Sequence, residues 1–274
     1  MTRAILVTGG AGYIGSRLIR DMAADPDFAD STIRVLDNLQ RETTTALLDL
    51  PDGGRYQFLE GDILDNAGMR RALQDVWAVI HMAAIVRTPL SFGPTGWIEQ
   101  VNHWGTANLV EAAASAGVRA VIYTSSAAVY GPIDTVGGTP FREGDICRPV
   151  GLYAESKLRG ERPVQAAGEQ GRLQPVILRL APVFGLAPAV RFDAVANRFA
   201  YLASIHRPLT VYGDGRQVRP HLHVSDASRA IRFALTRLDE LAPCLEKLVP
   251  IIQQAQVDYV TNPAEVNKLL VEFN

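Results

Sequence analysis

The stretch Ile5-Leu-Val-Thr-Gly-Gly-Ala-Gly-Tyr-Ile-Gly15 constrains the fold more than any other part of the chain. Ile5, Leu6 and Val7 form a short apolar run that reads as a buried strand. Gly9, Gly12 and Gly15 follow at three-residue intervals and open a helix that continues through Arg17, Leu18 and Ile19. Gly9 allows the tight turn, Gly12 lets a ligand approach the backbone, and Gly15 lets the helix lie close to the sheet. The helix N-terminus then aims N–H groups and the positive end of its dipole over the turn, where phosphate is welcome.

Glycines at this spacing are a weak signal alone, and an acid strengthens them. Ser31-Thr-Ile-Arg-Val-Leu-Asp37 reads as the second strand and ends in Asp37, 22 residues after Gly15. A carboxylate there suits the ribose hydroxyls of a nicotinamide dinucleotide. A length of 274 residues fits one large α/β domain, or such a domain with a small lobe. A formal charge of −2 without a basic run argues against nucleic acid as a partner. The apolar stretches are strand-length, too short to span a membrane. The first strand begins so early that a signal peptide has no room, which points to the cytoplasm. Cys147 and Cys244 lack metal-ligand spacing and read as free thiols.

Strands and helices alternate along the chain, so the expected fold is α/β, a Rossmann-type doubly wound parallel sheet. Further strands are expected at Tyr56–Glu60, Trp77–His81, Val118–Thr124 and Pro175–Leu180. Helices are expected from Gly12 to about Ala24, at Met69–Asp75, Trp97–Ala116 and Leu152 to about Gly168. Residues 1–180 form the dinucleotide-binding domain on this reading. Residues 181–274 form a smaller substrate lobe, from which the chain returns to the first domain around 220–238. In that lobe Phe192–Ile205 reads as a helix, Leu209–Tyr212 as a short strand, Gly213-Asp-Gly215 as a turn and Val218–Val224 as extended. Ser225 caps a helix to about Leu238, and the tail reads as helix, strand, helix over 245–271. Gly131–Asp145, rich in Gly, Pro and acid, reads as a loop over the site. His221 and His223 share a strand face without a third ligand, so no metal site is expected.

Tyr153-Ala-Glu-Ser-Lys157 carries the chemistry. Tyr and Lys at i and i+4 share one helix face. A tyrosine with its ordinary pKa of about 10 is a poor base at neutral pH. A neighbouring ammonium, or the positive ring of an oxidised nicotinamide, favours the phenolate. The spacing alone is common on ordinary helix surfaces. Its weight comes from company: the glycine turn, Asp37, and Ser125 and Ser126 delivered to the same sheet edge by the fifth strand.

Together these segments resemble the extended short-chain dehydrogenase/reductases, specifically the NAD-dependent epimerase/dehydratase family acting on nucleotide sugars. The matching stretches are Thr8–Gly15, Val35–Leu39, Gly61–Ile63, His81–Ala84, Asn102–Thr106, Thr124–Gly131, Tyr153–Lys157, Tyr212–Arg219 and His223-Val224, in the family's order. The resemblance implies NAD as cofactor, since Asp37 would repel a 2′-phosphate; Arg41 nearby argues weakly the other way. It implies a cofactor site of Gly9, Gly12, Tyr13, Ile14, Gly15, Asp37, Asn38, Asp62, Ile63, Ala83, Ala84, Asn102, Thr124, Tyr153, Lys157 and Pro182. Ser126, Tyr153 and Lys157 would be catalytic, and Ser126 and Arg219 would hold the substrate, Arg219 by its diphosphate. An ordinary surface arginine is the plainer account of Arg219. The resemblance also implies a homodimer built on the 97–116 and 152–168 helices.

Ala127 and Ala128 narrow the reaction. The family's 4,6-dehydratases carry an Asp-Glu pair after the catalytic hydroxyl, and alanine moves no proton. Epimerisation at C4 through a 4-keto sugar is the simplest remaining reading. A net reductase or dehydrogenase, and a non-catalytic NAD-binding protein, stand as alternatives. Two departures bear on them: Pro182 stands where many relatives have a substrate-contacting asparagine, and beyond about Leu241 the chain leaves the family's pattern.

Overall fold

In the computed structural model the first strand, β1 (Arg3–Thr8), already divides the core in two. Ile5 and Val7 face one apolar cluster, and Ala4 and Leu6 face the other, as a period of two requires. The structure describes residues 3–86, 95–132, 141–211, 215 and 219–241. Five more strands join β1: β2 (Ser31–Asp37), β3 (Arg55–Glu60), β4 (Val76–His81), β5 (Ala120–Ser126) and β6 (Gln174–Leu180). All are parallel, in the order β3-β2-β1-β4-β5-β6. The order reverses between β1 and β4, and open α/β sheets take ligands at the carboxyl end of that reversal.

Helices cover both faces. On the first, Leu18, Ile19 and Met22 of α1 (Tyr13–Ala23) pack beside Ala227, Ile231 and Leu235 of α7 (Val224–Thr236). On the second lie Met69 of α2 (Asn66–Ala72), Leu109 and Val110 of α4 (Thr106–Ser115), and Val164 and Ala167 of α5 (Leu152–Glu169). The return of the chain as α7 therefore lies against the Rossmann sheet. Between sheet and return sit α6 (Val195–Ser204) and a two-stranded parallel pair, β7 (Val183–Phe184) with β8 (Leu222–His223). A last turn, α8 (Leu238–Leu241), follows α7.

Several boundaries differ from the sequence reading. The fifth strand runs to Ser126, so Ser125 and Ser126 are strand residues paired with Arg179 and Leu180. Asp65 caps α2 by accepting from Ala67 N, which starts that helix before Met69 and ends it at Ala72. The helix expected over 97–116 is broken in character: α3 (Thr95–Glu99) passes through a π-helical turn, Gln100–Gly105, into α4. The cap of α7 is His223, whose Nδ1 accepts from Ser225 N, in place of the expected Ser225. Residues 209–211 form no strand. The 3-10 turn Thr44–Leu47 was not expected; Arg20 pins it through the carbonyls of Ala46 and Leu48. Tyr212, Gly213, Cys244, the middle of the 131–145 loop and the tail elements over 245–271 lie outside the described residues.

Gly9 has φ +71°, and a Cβ there would sit 2.7 Å from Ala83 N. Gly117 has the same φ with open space around it. Gly117→Ala should therefore cost about 1–2 kcal/mol from backbone strain alone, and Gly9→Ala more, because the Met82–Ala83 backbone just after β4 must also give way. Urea unfolding of the two variants checks this, and equal losses would contradict it.

Candidate active site

The strand ends, the glycine turn and the N-terminal half of α5 enclose one cleft of about 900 Å³. Gly9, Gly12, Tyr13, Ile14 and Gly15 line it on one side, and Asp37, Asn38, Asp62 and Ile63 close one end. Ala83 and Ala84 form the floor at the β1–β4 reversal. Thr124, Ser126, Tyr153, Lys157 and Pro182 line the side toward β5 and β6, and Arg219 lies at the rim.

The glycine turn fits a dinucleotide. A Cβ on Gly15 would meet Gly10 Cα and Gly9 O at 2.6 Å, so this glycine lets α1 close on its own turn. Asp37 accepts from Ala11 N and Leu39 N, one bond on each oxygen, both 3.0 Å. That fixes the carboxylate and leaves each oxygen a lone pair for a ribose hydroxyl. Asn38 Nδ2 donates to Asp62 Oδ2 at 3.0 Å, joining the ends of β2 and β3 beside it. This donor set and this cradle suit a dinucleotide such as NAD.

Asn102 is the expected site residue that does not line the cleft. It is buried behind it, turned inward by the π-helical segment. Its amide accepts from Ile85 N at 2.8 Å and donates to Ile85 O at 2.9 Å and Ser156 Oγ at 3.0 Å. Ser156 donates in turn to Tyr153 O. Asn102 therefore ties the floor loop to the helix that carries Tyr153.

Tyr153 and Ser126 both line the cleft. Burial raises the Tyr153 pKa, while the Ser126 hydroxyl and the positive charge of Arg191 pull it back. The expected lowering by Lys157 is not what the structure resolves. Lys157 is itself buried and donates from Nζ to Thr124 O at 2.6 Å, with Nζ 4.6 Å from the centre of the Tyr123 ring. Burial lowers its pKa to about 7, against an upward pull from Glu161.

Sequence reasoning missed three groups. Arg191 lines the cleft, is held by Asp193 through two bonds of 2.7 and 2.9 Å, and acts on Tyr153. The Arg191-x-Asp193 pair in an otherwise apolar segment was the available signal. Glu161, one turn beyond Lys157, is the second. His81, noted only as part of the resemblance, is the third. Thr106 Oγ1 donates to Asn102 O, so it must accept from His81 Nε2. Nδ1 therefore accepts from Thr8 Oγ1 at 2.7 Å, and Thr8 accepts from Ala83 N. The imidazole is neutral, its pKa lowered by burial and by Lys157 to about 3. Among the described residues no cluster of three metal-ligating side chains occurs, and no helix is long and apolar enough to cross a membrane.

Fold and cleft together define a Rossmann-type dinucleotide-binding protein with a short-chain dehydrogenase arrangement of Ser, Tyr and Lys. The family model described as the NAD dependent epimerase/dehydratase family matches residues 5–244, and the chain belongs to that family. It is 33% identical over 239 residues to the dTDP-D-glucose 4,6-dehydratase of Mus musculus, covering 86% of this chain and 65% of that one. It is 32% identical over 250 residues to the UDP-glucose 4-epimerase of Azospirillum brasilense, covering 85% of this chain and 68% of that one. The solved UDP-glucuronic acid 4-epimerase of Bacillus cereus, in complex with UDP-glucuronic acid and NAD, superposes with a TM-score of 0.74 at 28% identity. It covers 85% of this chain and 73% of its own. The chain thus spans about two thirds of the length of these curated relatives, which include both epimerases and dehydratases.

His81 gives a pH test. Its folded pKa lies below its ordinary value of 6.5, so the unfolded chain binds the extra proton between pH 6.5 and 3. Stability should fall as pH drops through that window, at up to about 1.4 kcal/mol per pH unit from this group. Denaturant unfolding at several pH values should show a shallower fall in His81→Gln. An unchanged slope would contradict the assignment.

Proposed function

We propose that the chain catalyses NAD-dependent epimerisation of a nucleotide sugar at C4 through a transient 4-keto sugar. One observation carries the reading: Ser126 and Tyr153 line one dinucleotide-sized cleft, with Ala127 and Ala128 following Ser126 on its wall. Water loss in a 4,6-dehydratase needs an acid and a base there, and methyl groups supply neither.

Bound NAD supplies a reversible hydride acceptor. Gly9, Gly12, Tyr13, Ile14 and Gly15 would hold its diphosphate, Asp37 and Asn38 its adenosine ribose, and Asp62 and Ile63 its adenine. Ala83, Ala84, Thr124, Lys157 and Pro182 line the rest, Lys157 through the donors left after Thr124. Tyr153 takes the proton of the sugar's C4 hydroxyl as hydride leaves that carbon, and Ser126 holds the oxygen in line. Burial raises the Tyr153 pKa; the Ser126 hydroxyl and the charge of Arg191 oppose that, and the positive ring of bound oxidised nicotinamide would add to them in favouring the phenolate this step needs. The keto sugar then turns over in the cleft, and Tyr153 returns the proton as hydride comes back to the other face. Arg219 grips the diphosphate, and the described part of 181–223 forms the substrate side. A cytoplasmic setting suits the free thiol of Cys147.

Homodimerisation through α4 and α5 belongs to the same proposal. Trp104, in the turn leading into α4, is 61% exposed and would be covered in such a dimer.

Incubation with a panel of nucleotide sugars, followed by proton NMR of C4 configuration, should show interconversion of one epimeric pair without net NADH formation. Stoichiometric NADH would favour the dehydrogenase. Tyr153→Phe should lower kcat by about 10²–10⁴-fold with NAD binding intact; retained activity would overturn the mechanism. Sedimentation should give a dimer that Trp104→Glu converts to monomer, and a monomeric parent would remove the interface.

A further inference from the structure

The helix face that carries Tyr153 and Lys157 has a third member. Glu161 follows Lys157 by one turn, so the three side chains form an i, i+4, i+8 row on α5. The Glu161 side chain is 1% exposed. Ser125 Oγ donates to its Oε1 at 2.5 Å, Arg179 Nε donates to the same oxygen at 3.0 Å, and Arg179 Nη2 donates to Oε2 at 2.7 Å. The guanidinium also donates from Nη1 to Tyr130 Oη at 2.8 Å and to Glu143 O at 3.2 Å. Tyr130 stacks on Phe141, which lines the cleft.

We propose that Glu161, clamped by Arg179, is a positioning residue for Lys157: it fixes α5 against the ends of β5 and β6 and places a carboxylate one helix turn from the Lys157 ammonium. Geometry supports the first half. Two successive turns of α5 are stitched to two successive residues of β5, Lys157 to Thr124 O and Glu161 to Ser125 Oγ. Charge supports the second. Lys157 is buried against the Tyr123 ring of β5, near neutral His81 of β4 and Tyr153 of its own helix. Arg179 of β6 is paired with Glu161 itself, and Arg191 acts on Tyr153. Glu161 is the group whose charge opposes the loss of the lysine's proton. A buried ion pair adds little stability over well-packed apolar groups, so stability alone does not account for this one.

The chain has three lysines, Lys157, Lys247 and Lys268, so lysine labelled with ¹³C at Cε gives three NMR signals to follow with pH. A Lys157→Met spectrum assigns the relevant one. In the full-length parent it should titrate near pH 7. In Glu161→Gln, which keeps the volume but not the charge, the midpoint should fall by about one pH unit or more. The double variant Glu161→Met/Arg179→Met removes both charges, should keep the parent's melting temperature, and should also titrate lower; it is read alone if the glutamine variant does not fold. An unchanged Lys157 midpoint in the folded variants overturns the proposal. The kinetic part rests on the epimerase reading: the alkaline limb of kcat should move to lower pH with KM unchanged. A parent that turns over no nucleotide sugar defeats that reading, while the NMR titration still decides this one.

Discussion

A lysine ammonium lies where a Rossmann sheet can least easily tolerate one, under the ends of its central strands. Lys157 reaches from α5 to the carbonyl of Thr124, and the Tyr123 ring lies beneath it. The contact is possible because β4 pairs with β5 only as far as His81 with Tyr123, so from Thr124 onward β5 has no strand neighbour on that side. It brings three things together: the helix with Tyr153, the strand with Ser126, and the floor of the cleft at the β1–β4 reversal. The cost is a buried cation, and Glu161 with Arg179 lies one turn below to offset it.

The same edge is organised on its other side by neutral groups. Thr8, His81 and Thr106 form a hydrogen-bonded row with a single consistent proton order, running from β1 across β4 to the helix. Asn102 extends it to the floor loop and to Ser156, beside Lys157. A fully satisfied buried network of this kind holds its members in one arrangement. The cleft thus has a frame on which Tyr153, Ser126 and Arg191 line one cavity.

Much of this was legible in the sequence, for reasons tied to local pattern. Six strands were placed because apolar runs end at turn residues, and Ser31–Asp37 was found with the expected limits. The glycine turn, Asp37, Ser126, Tyr153 and Lys157 were singled out from short spacings, and the structure lines one cleft with them. Asn102 came from the resemblance alone, and the structure places it behind the cleft, bonded to Ile85 and Ser156 within a π-helical turn. Arg191 and Glu161 were missed because their importance comes from partners on other elements, Tyr153 for one and Ser125 and Arg179 for the other. The expected influence of Lys157 on Tyr153 was read from their i, i+4 spacing, which does not say that the ammonium turns to a strand carbonyl.

The choice between epimerase and dehydratase turns on two methyl groups, Ala127 and Ala128, and on where hydride goes after it leaves C4. The nucleotide sugar that turns over, prepared with deuterium at C4, tests this most directly. The account requires the label to return to C4 of the epimeric product within the same turnover, detected by NMR and mass spectrometry. Loss of the label to free cofactor, or its appearance at C6, would contradict it.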